Sequence, residues 1–271
     1  MEPEVLSRHF PGYDTLSIPE KKPENAEEVV EMSVEKVFVV GAGLMGSGIA
    51  QVTAASGYEV VMRDIDDAAL ARGMGMIEES LSRFVKKEKI SEEDARAAVG
   101  RITTTTEMSK AAEADLVIEA VFENIELKKE VFAELGGITR PECVLATNTS
   151  AISITSIAAA TGRPDRVVGM HFFSPVPMMK LCEIIRGLAT SEETVRLAEG
   201  FARSIGKETV MVNKDVAGFI ANRVGLAMSV VAIDLVGRGV ATPQDVDKAM
   251  KLGFAHRMGP CETADLTGID V

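Results

Sequence analysis

Cysteine is scarce in this sequence of 271 residues: Cys143, Cys182 and Cys261 lie far apart, with neither CxxC spacing nor an even count. That pattern reads as reduced thiols in a cytosol and argues against a zinc site. Positive charge is also in deficit, since 29 Lys and Arg face 41 Asp and Glu for a net charge of −12. Such a surface repels nucleic acid and anionic membranes, so a polyanionic ligand must meet a local basic patch. The N-terminus lacks a basic-then-apolar signal and is too acidic for a transit peptide, which makes a cytoplasmic location the expectation. A membrane-spanning run is missing too: the longest apolar helical stretch, Ala217 to Val236, carries Asn222, Arg223 and Asp234. A buried helix is expected there.

What is present fits a soluble globular protein, with 46% hydrophobic and 26% charged residues and enough length for one large domain or two modest ones. Its organising stretch is Val37 to Asp64, VFVVGAGLMGSGIAQVTAASGYEVVMRD. A β-branched run, three glycines, a small-residue helical pattern and a second apolar run give strand, turn, helix, strand. Gly41 permits the tight turn, Gly43 lets a pyrophosphate approach the backbone, and Gly46 lets the helix pack close to the strand. Leu44 and Met45 belong to the same loop, whose free N–H groups face the phosphates. Asp64, about 20 residues on, is placed to accept from an adenosine ribose and to repel a 2′-phosphate, so NAD rather than NADP is expected.

The rest of the chain extends this pattern. Residues 1–33 hold four prolines and many glutamates, and read as a tail with a short helix at Asn25 to Glu31; no role is assigned to His9. A helix is expected over Asp66 to Lys87, and an acidic one capped by Ser91. Strands are expected at Arg101 to Thr106, Asp115 to Val121, Val144 to Thr147, Val167 to Phe173, Leu181 to Ile185 and Thr209 to Val212. The helices between them cover Ile125 to Leu135, capped by Asn124, a segment ending before Gly162, and Ser191 to about Ser204. Beyond Asn213 only helices remain, Ala217 to Val236 and Pro243 to Met250. The expected fold is therefore α/β, a Rossmann-type doubly wound, mostly parallel sheet over residues 34–213, with a second, small all-α domain over 214–271.

Ligands of such sheets bind outside the carboxyl ends of the strands. Glu123 with Asn124, Asn148 with Ser150, and His171 all follow or close a strand and so converge there. Only His171 of the three histidines stands on that edge, which makes it the best general base by elimination; the alternative is a core histidine satisfied by a carbonyl. Glu183 lies in the apolar LCEII, where a carboxylate needs a partner, and a histidine across the turn suits it. An exposed edge strand is the other reading. Asn222 either satisfies neighbouring backbone or holds a substrate oxygen, and Ser150 either caps a helix or donates to that oxygen or the nicotinamide. Arg83, Lys86, Lys87 and Lys89 form the one dense basic cluster, suited either to the helix dipole or to a phosphorylated handle.

The segments GAGLMGSGIAQ, IEAVFENIELKKEVF, ATNTSAISI, HFFSPVPMMKLCEII and GFIANR, in that order, closely resemble the L-3-hydroxyacyl-CoA dehydrogenase family from about Val34 onward. The resemblance implies NAD-dependent oxidation of an (S)-3-hydroxyacyl-CoA to the 3-ketoacyl-CoA, or the reverse, with His171 and Glu183 as the catalytic pair. It also implies Ser150 and Asn222 as substrate-positioning residues. Cofactor contacts fall on the glycine loop, Asp64, Glu123, Lys128, Ser150 and Ser174, the last standing where many members have Asn. Coenzyme A contacts fall on Ser80 and Lys87. Members usually continue through further helices that complete the substrate cleft and much of a homodimer interface. This sequence stops one residue after GPCETADLTGID, which puts dimerisation and full activity in question. A hydroxy-acid dehydrogenase acting without CoA, and a non-catalytic NAD-binding protein, are the competing readings.

Overall fold

Alternation in the first strand sets the architecture. In β1 (Lys36–Val40), Val37 and Val39 join one apolar cluster, while Phe38 and Val40 join another, and none has exposed surface. That two-residue period places one cluster on each face of the sheet, as a parallel sheet covered on both sides requires. Each such side chain contributes about 1.5–3 kcal/mol by leaving water. The structure, a computed structural model, describes residues 34–268. The expected tail at 1–33, with its short helix and His9, and the last three residues lie outside the described residues.

After β1 come α1 (Leu44–Ala55), β2 (Glu59–Arg63), α2 (Asp67–Lys86), α3 (Glu92–Gly100), β3 (Ile102–Thr105), β4 (Leu116–Glu119), α4 (Ile125–Ile138), β5 (Val144–Thr147), α5 (Ile154–Ala158), β6 (Val167–Phe172), β7 (Leu181–Ile185), α6 (Glu192–Ser204) and β8 (Glu208–Val212). Strand order is β3-β2-β1-β4-β5-β6-β7-β8. The first six strands are mutually parallel, β7 runs antiparallel to β6, and β8 follows β7. The doubly wound, mostly parallel sheet expected from the sequence is thus present. One face carries α1, α2 and α6, through residues such as Ile49, Ile77 and Phe201, and the other carries α4 and α5, through Phe132 and Ile157. Caps stand where side-chain chemistry places them: Asp66, Asn124 and Ser191 each accept from a first-turn N–H, and Ser91 with Asp94 forms a capping box.

Three helices complete the described chain: α7 (Ala221–Gly237), α8 (Pro243–Gly253) and α9 (Pro260–Thr267). Here the structure corrects the sequence reading. The expected helix from Ala217 starts only at Ala221, because Gly218 and Phe219 take left-handed φ values of 75° and 45°. Nor is α7 buried: only Ala232 is, while Leu226 and Val230 are each 65% exposed. Its apolar residues surround the helix, and α8 and α9 cover one side alone. No helix among the described residues is long and apolar enough to cross a membrane.

The last helix, α9, was not expected; Glu262 accepts locally from Gly259 N–H, and the rest of its cap comes from another helix. Asp247 of α8 accepts from the N–H groups of Cys261 and Glu262 at 2.8 and 3.1 Å. A Cβ on Gly259 would stand 2.3 Å from the Asp247 Cβ, so glycine alone allows this approach.

Candidate active site

At the carboxyl edge of the sheet Gly41 and Gly46 take the turn and packing positions that the spacing predicts. Gly41, with φ of 106°, lies so close to β4 that a Cβ would meet the Ala120 carbonyl at 2.6 Å. A Cβ on Gly46 would sit 1.9 Å from the Gly41 oxygen, so α1 packs against the turn only without one. Gly43, the N-cap of α1, has nothing within 4 Å of where a Cβ would be, which leaves open space beside the free N–H groups. Asp64 is tied to this loop: one oxygen accepts from Ala42 N–H at 2.6 Å and the other from Ile65 N–H at 2.7 Å. Leu44 and Ile65 stand exposed beside it. Open space, aligned donors and a fixed carboxylate fit a dinucleotide with an unphosphorylated ribose.

A second cluster stands between β4 and β5. Glu119 and Lys128 have almost no exposed surface and form an ion pair at 2.6 Å. Glu119 also accepts from the Thr147 hydroxyl and Val121 N–H, and Lys128 also donates to the Val121 carbonyl. The ammonium lies 3.4 Å from Glu123, which in turn accepts from the Thr149 hydroxyl and from Ser150 and Ala151 N–H. Burial by itself would raise the Glu123 carboxyl; the Thr149 hydroxyl, Lys128 and the two N–H groups outweigh it and hold the carboxyl below the usual range. Lys128 is therefore enclosed beneath the loop, and Glu123 is the member of this cluster at the surface.

His171 and Glu183 are directly opposed residues of the antiparallel pair β6 and β7. Such partners project from the same face, and here Nδ1 of His171 lies 2.8 Å from Oε2 of Glu183, with both side chains buried. Glu183 Oε1 accepts from Ile220 N–H at 3.1 Å and from Ala221 N–H at 2.8 Å, at the start of α7. Burial pushes this carboxyl up, but the imidazole beside it and the two N–H groups outweigh that and hold it below the ordinary glutamate range. A carboxylate only accepts, so Nδ1 carries the proton and Nε2 presents its lone pair. Phe173 and Phe219 close on the ring, with centroids at 4.4 and 5.5 Å.

Ser150 is exposed on the loop after β5 and does not cap α5, whose N-cap is Ser153. Asn222 is half-buried in the first turn of α7, near the helix start rather than in its middle. Neither the Ser150 hydroxyl nor the Asn222 amide has a hydrogen-bond partner among the described residues. Ser174 is exposed after β6. Ser80 and Lys87 lie seven residues apart on one side of α2 and its C-cap.

Several contributors had no assigned role from sequence. Asn148 Oδ1 accepts from Phe172 N–H at 2.9 Å and fixes the strand end beside His171. Glu119 was legible by the logic applied to Glu183, since it is the carboxylate in the middle of the apolar run LVIEAV. Lys207 is buried with its ammonium on the Val176 and Met179 carbonyls at 2.6 and 2.8 Å, which pins the loop joining β6 to β7. The thiols take no part: burial pushes Cys182 up and Cys143 up to about 11.

Residues 36–216 match the family model for the 3-hydroxyacyl-CoA dehydrogenase NAD binding domain, and residues 218–271 match that for its C-terminal domain. A probable 3-hydroxybutyryl-CoA dehydrogenase of Deinococcus radiodurans is 46% identical over 235 residues, covering 87% of this chain and 84% of its own. A mitochondrial hydroxyacyl-coenzyme A dehydrogenase of Rattus norvegicus is 43% identical over 88% of this chain and 77% of its own. The solved structure of (S)-3-hydroxybutyryl-CoA dehydrogenase from Ralstonia eutropha superposes with a TM-score of 0.85 at 44% identity, over 88% of this chain and 84% of that one.

Proposed function

The chain belongs to the 3-hydroxyacyl-CoA dehydrogenase family, and on that premise we propose that His171 is the base, and Glu183 its partner, in an NAD-dependent oxidation of (S)-3-hydroxyacyl-CoA to 3-ketoacyl-CoA. NAD, when bound, accepts the hydride from the carbon that bears the hydroxyl. Nε2 of His171 takes the hydroxyl proton, and Glu183 stabilises the imidazolium that forms. In the reverse direction the same atom returns the proton to the carbonyl oxygen. The Ser150 hydroxyl and the Asn222 amide hold that oxygen, each with a free donor. Gly41, Gly43, Gly46 and the first-turn residues Leu44 and Met45 of α1 seat the pyrophosphate, and Asp64 the adenosine ribose. Glu123, with Lys128 behind it, and Ser174 border the nicotinamide half. Ser80 and Lys87 receive the coenzyme A portion.

We assign residues 34–213 to the dinucleotide-binding domain and the described residues from 214 onward to the helical one. The exposed apolar residues of α7 support burial against a second copy of the chain.

The observation that carries this reading is the 2.8 Å contact between Nδ1 and Glu183, which fixes a buried imidazole with its other nitrogen free. The test is NADH oxidation with acetoacetyl-CoA. His171→Gln is expected to lower kcat by about 10²–10⁴-fold, the range of general acid–base catalysis, with NADH binding retained. Loss of NADH binding together with turnover counts against the assignment.

A further inference from the structure

The loop that enters α7 touches both members of the His171–Glu183 pair. Gly218 and Phe219 have consecutive positive φ values, 75° and 45°. Glycine takes that conformation freely, whereas a bulky aromatic residue is an outlier, held only where its surroundings over-determine it. Those surroundings are specific here. The Phe219 ring is 2% exposed and stands edge-on to the imidazole, with centroids 5.5 Å apart and planes at 61°. The next two backbone N–H groups, of Ile220 and Ala221, both point at Glu183 Oε1. One strained residue thus sets a ring against the base and two amides on its acid.

The turn is anchored on both sides. Upstream, Asp215 accepts from the Ser153 hydroxyl at 2.6 Å and Thr155 N–H at 2.8 Å, which joins the linker to the segment just after Ser150. Phe219 N–H donates to the Val216 carbonyl at 3.0 Å, and Arg223 N–H donates to the Gly218 carbonyl at 2.9 Å as the helix begins. Phe173 closes the other side of the imidazole. Between these anchors the ring at 219 is buried against the imidazole.

We infer that Phe219 is a positioning residue for the reaction: its left-handed turn fixes the rotation of the His171 imidazole and the orientation of the Glu183 carboxylate. This rests on the reading of His171 as the base. Without the ring, the imidazole gains freedom to tilt and Nε2 departs from the line to the reacting oxygen. Displacements of about 1 Å are known to cost on the order of 10²-fold in rate. Phe219 also packs in the apolar cluster with Ile154, Ile185 and Val212, so a core role alone is the competing explanation.

The experiment compares Phe219→Leu and Phe219→Met, which keep an apolar side chain of similar bulk, with the unaltered protein. Circular dichroism establishes the fold, followed by the NADH dissociation constant, kcat with acetoacetyl-CoA, and the ¹⁵N spectrum of the histidine rings. The expected result is NADH affinity within about two-fold, a difference under 0.5 kcal/mol. kcat is expected to fall roughly ten-fold or more, with mixed tautomers at His171 where the unaltered protein holds the proton on Nδ1. A folded variant with unchanged kcat and an unchanged ring spectrum overturns the inference. Failure of both variants to fold also overturns it, because the ring then belongs to the core. If His171→Gln keeps its turnover, the base assignment fails instead, and the ring spectrum of the Phe219 variants still reports what that residue orients.

Discussion

The Glu183 carboxylate and the Ala221 amide meet at 2.8 Å, which joins the sheet to the first turn of α7. A carboxyl held ionised by such contacts links folding to acidity. The folded values of Glu183 and Glu123 both lie below the unfolded one, so their contribution to stability is complete above the unfolded glutamate value of about 4.3. It is lost as pH falls through the folded values. Thermal melts from pH 7 downward should therefore show Tm falling below about pH 4.3, and less steeply in Glu183→Gln. Equal slopes for the two proteins would remove Glu183 from the account.

The glycine loop offers a matched pair of substitutions. Gly43→Ala adds a methyl group where nothing lies within 4 Å, so Tm should stay unchanged while NADH binding weakens. Gly46→Ala drives a Cβ against the Gly41 carbonyl, and overpacking of this kind typically costs about 1–3 kcal/mol. Differential scanning calorimetry with and without NADH separates the two effects. A Gly43→Ala protein that binds NADH normally would exclude the pyrophosphate from that space.

Lys128→Met isolates the buried ion pair. The substitution leaves Glu119 enclosed without its partner, a loss of about 3–5 kcal/mol for buried pairs. Urea unfolding is the measurement, and a change below 1 kcal/mol would mean that Glu119 is otherwise neutralised.

Lys87→Glu tests the coenzyme A contact. Reversing this exposed charge should raise KM for acetoacetyl-CoA far more than for free acetoacetate, which lacks the handle. Parallel loss with both substrates would place the effect outside the coenzyme A handle.

The sheet was readable from local pattern because each strand carries its own signal. Continuous apolar runs such as Val144–Thr147 announce burial on both faces, and Asn124 or Ser191 announces the helix behind it. The site was readable where a residue violates its surroundings: Glu183 in an apolar strand pointed to a partner, and the register with His171 supplies it. What escaped was non-local. The late start of α7 depends on a side chain that packs against His171, and the exposure of α7 depends on how few elements cover it. Composition around 217–236 signals an apolar helix without saying which side has a neighbour.

The Asp247 carboxylate that caps α9 from α8 has a consequence for unfolding. Neither helix is long enough to persist alone in water, so the pair should open as one cooperative unit. Amide protons of Cys261 and Glu262 would then exchange with solvent at the same free-energy cost as those in the middle of α8, ahead of any opening of the sheet.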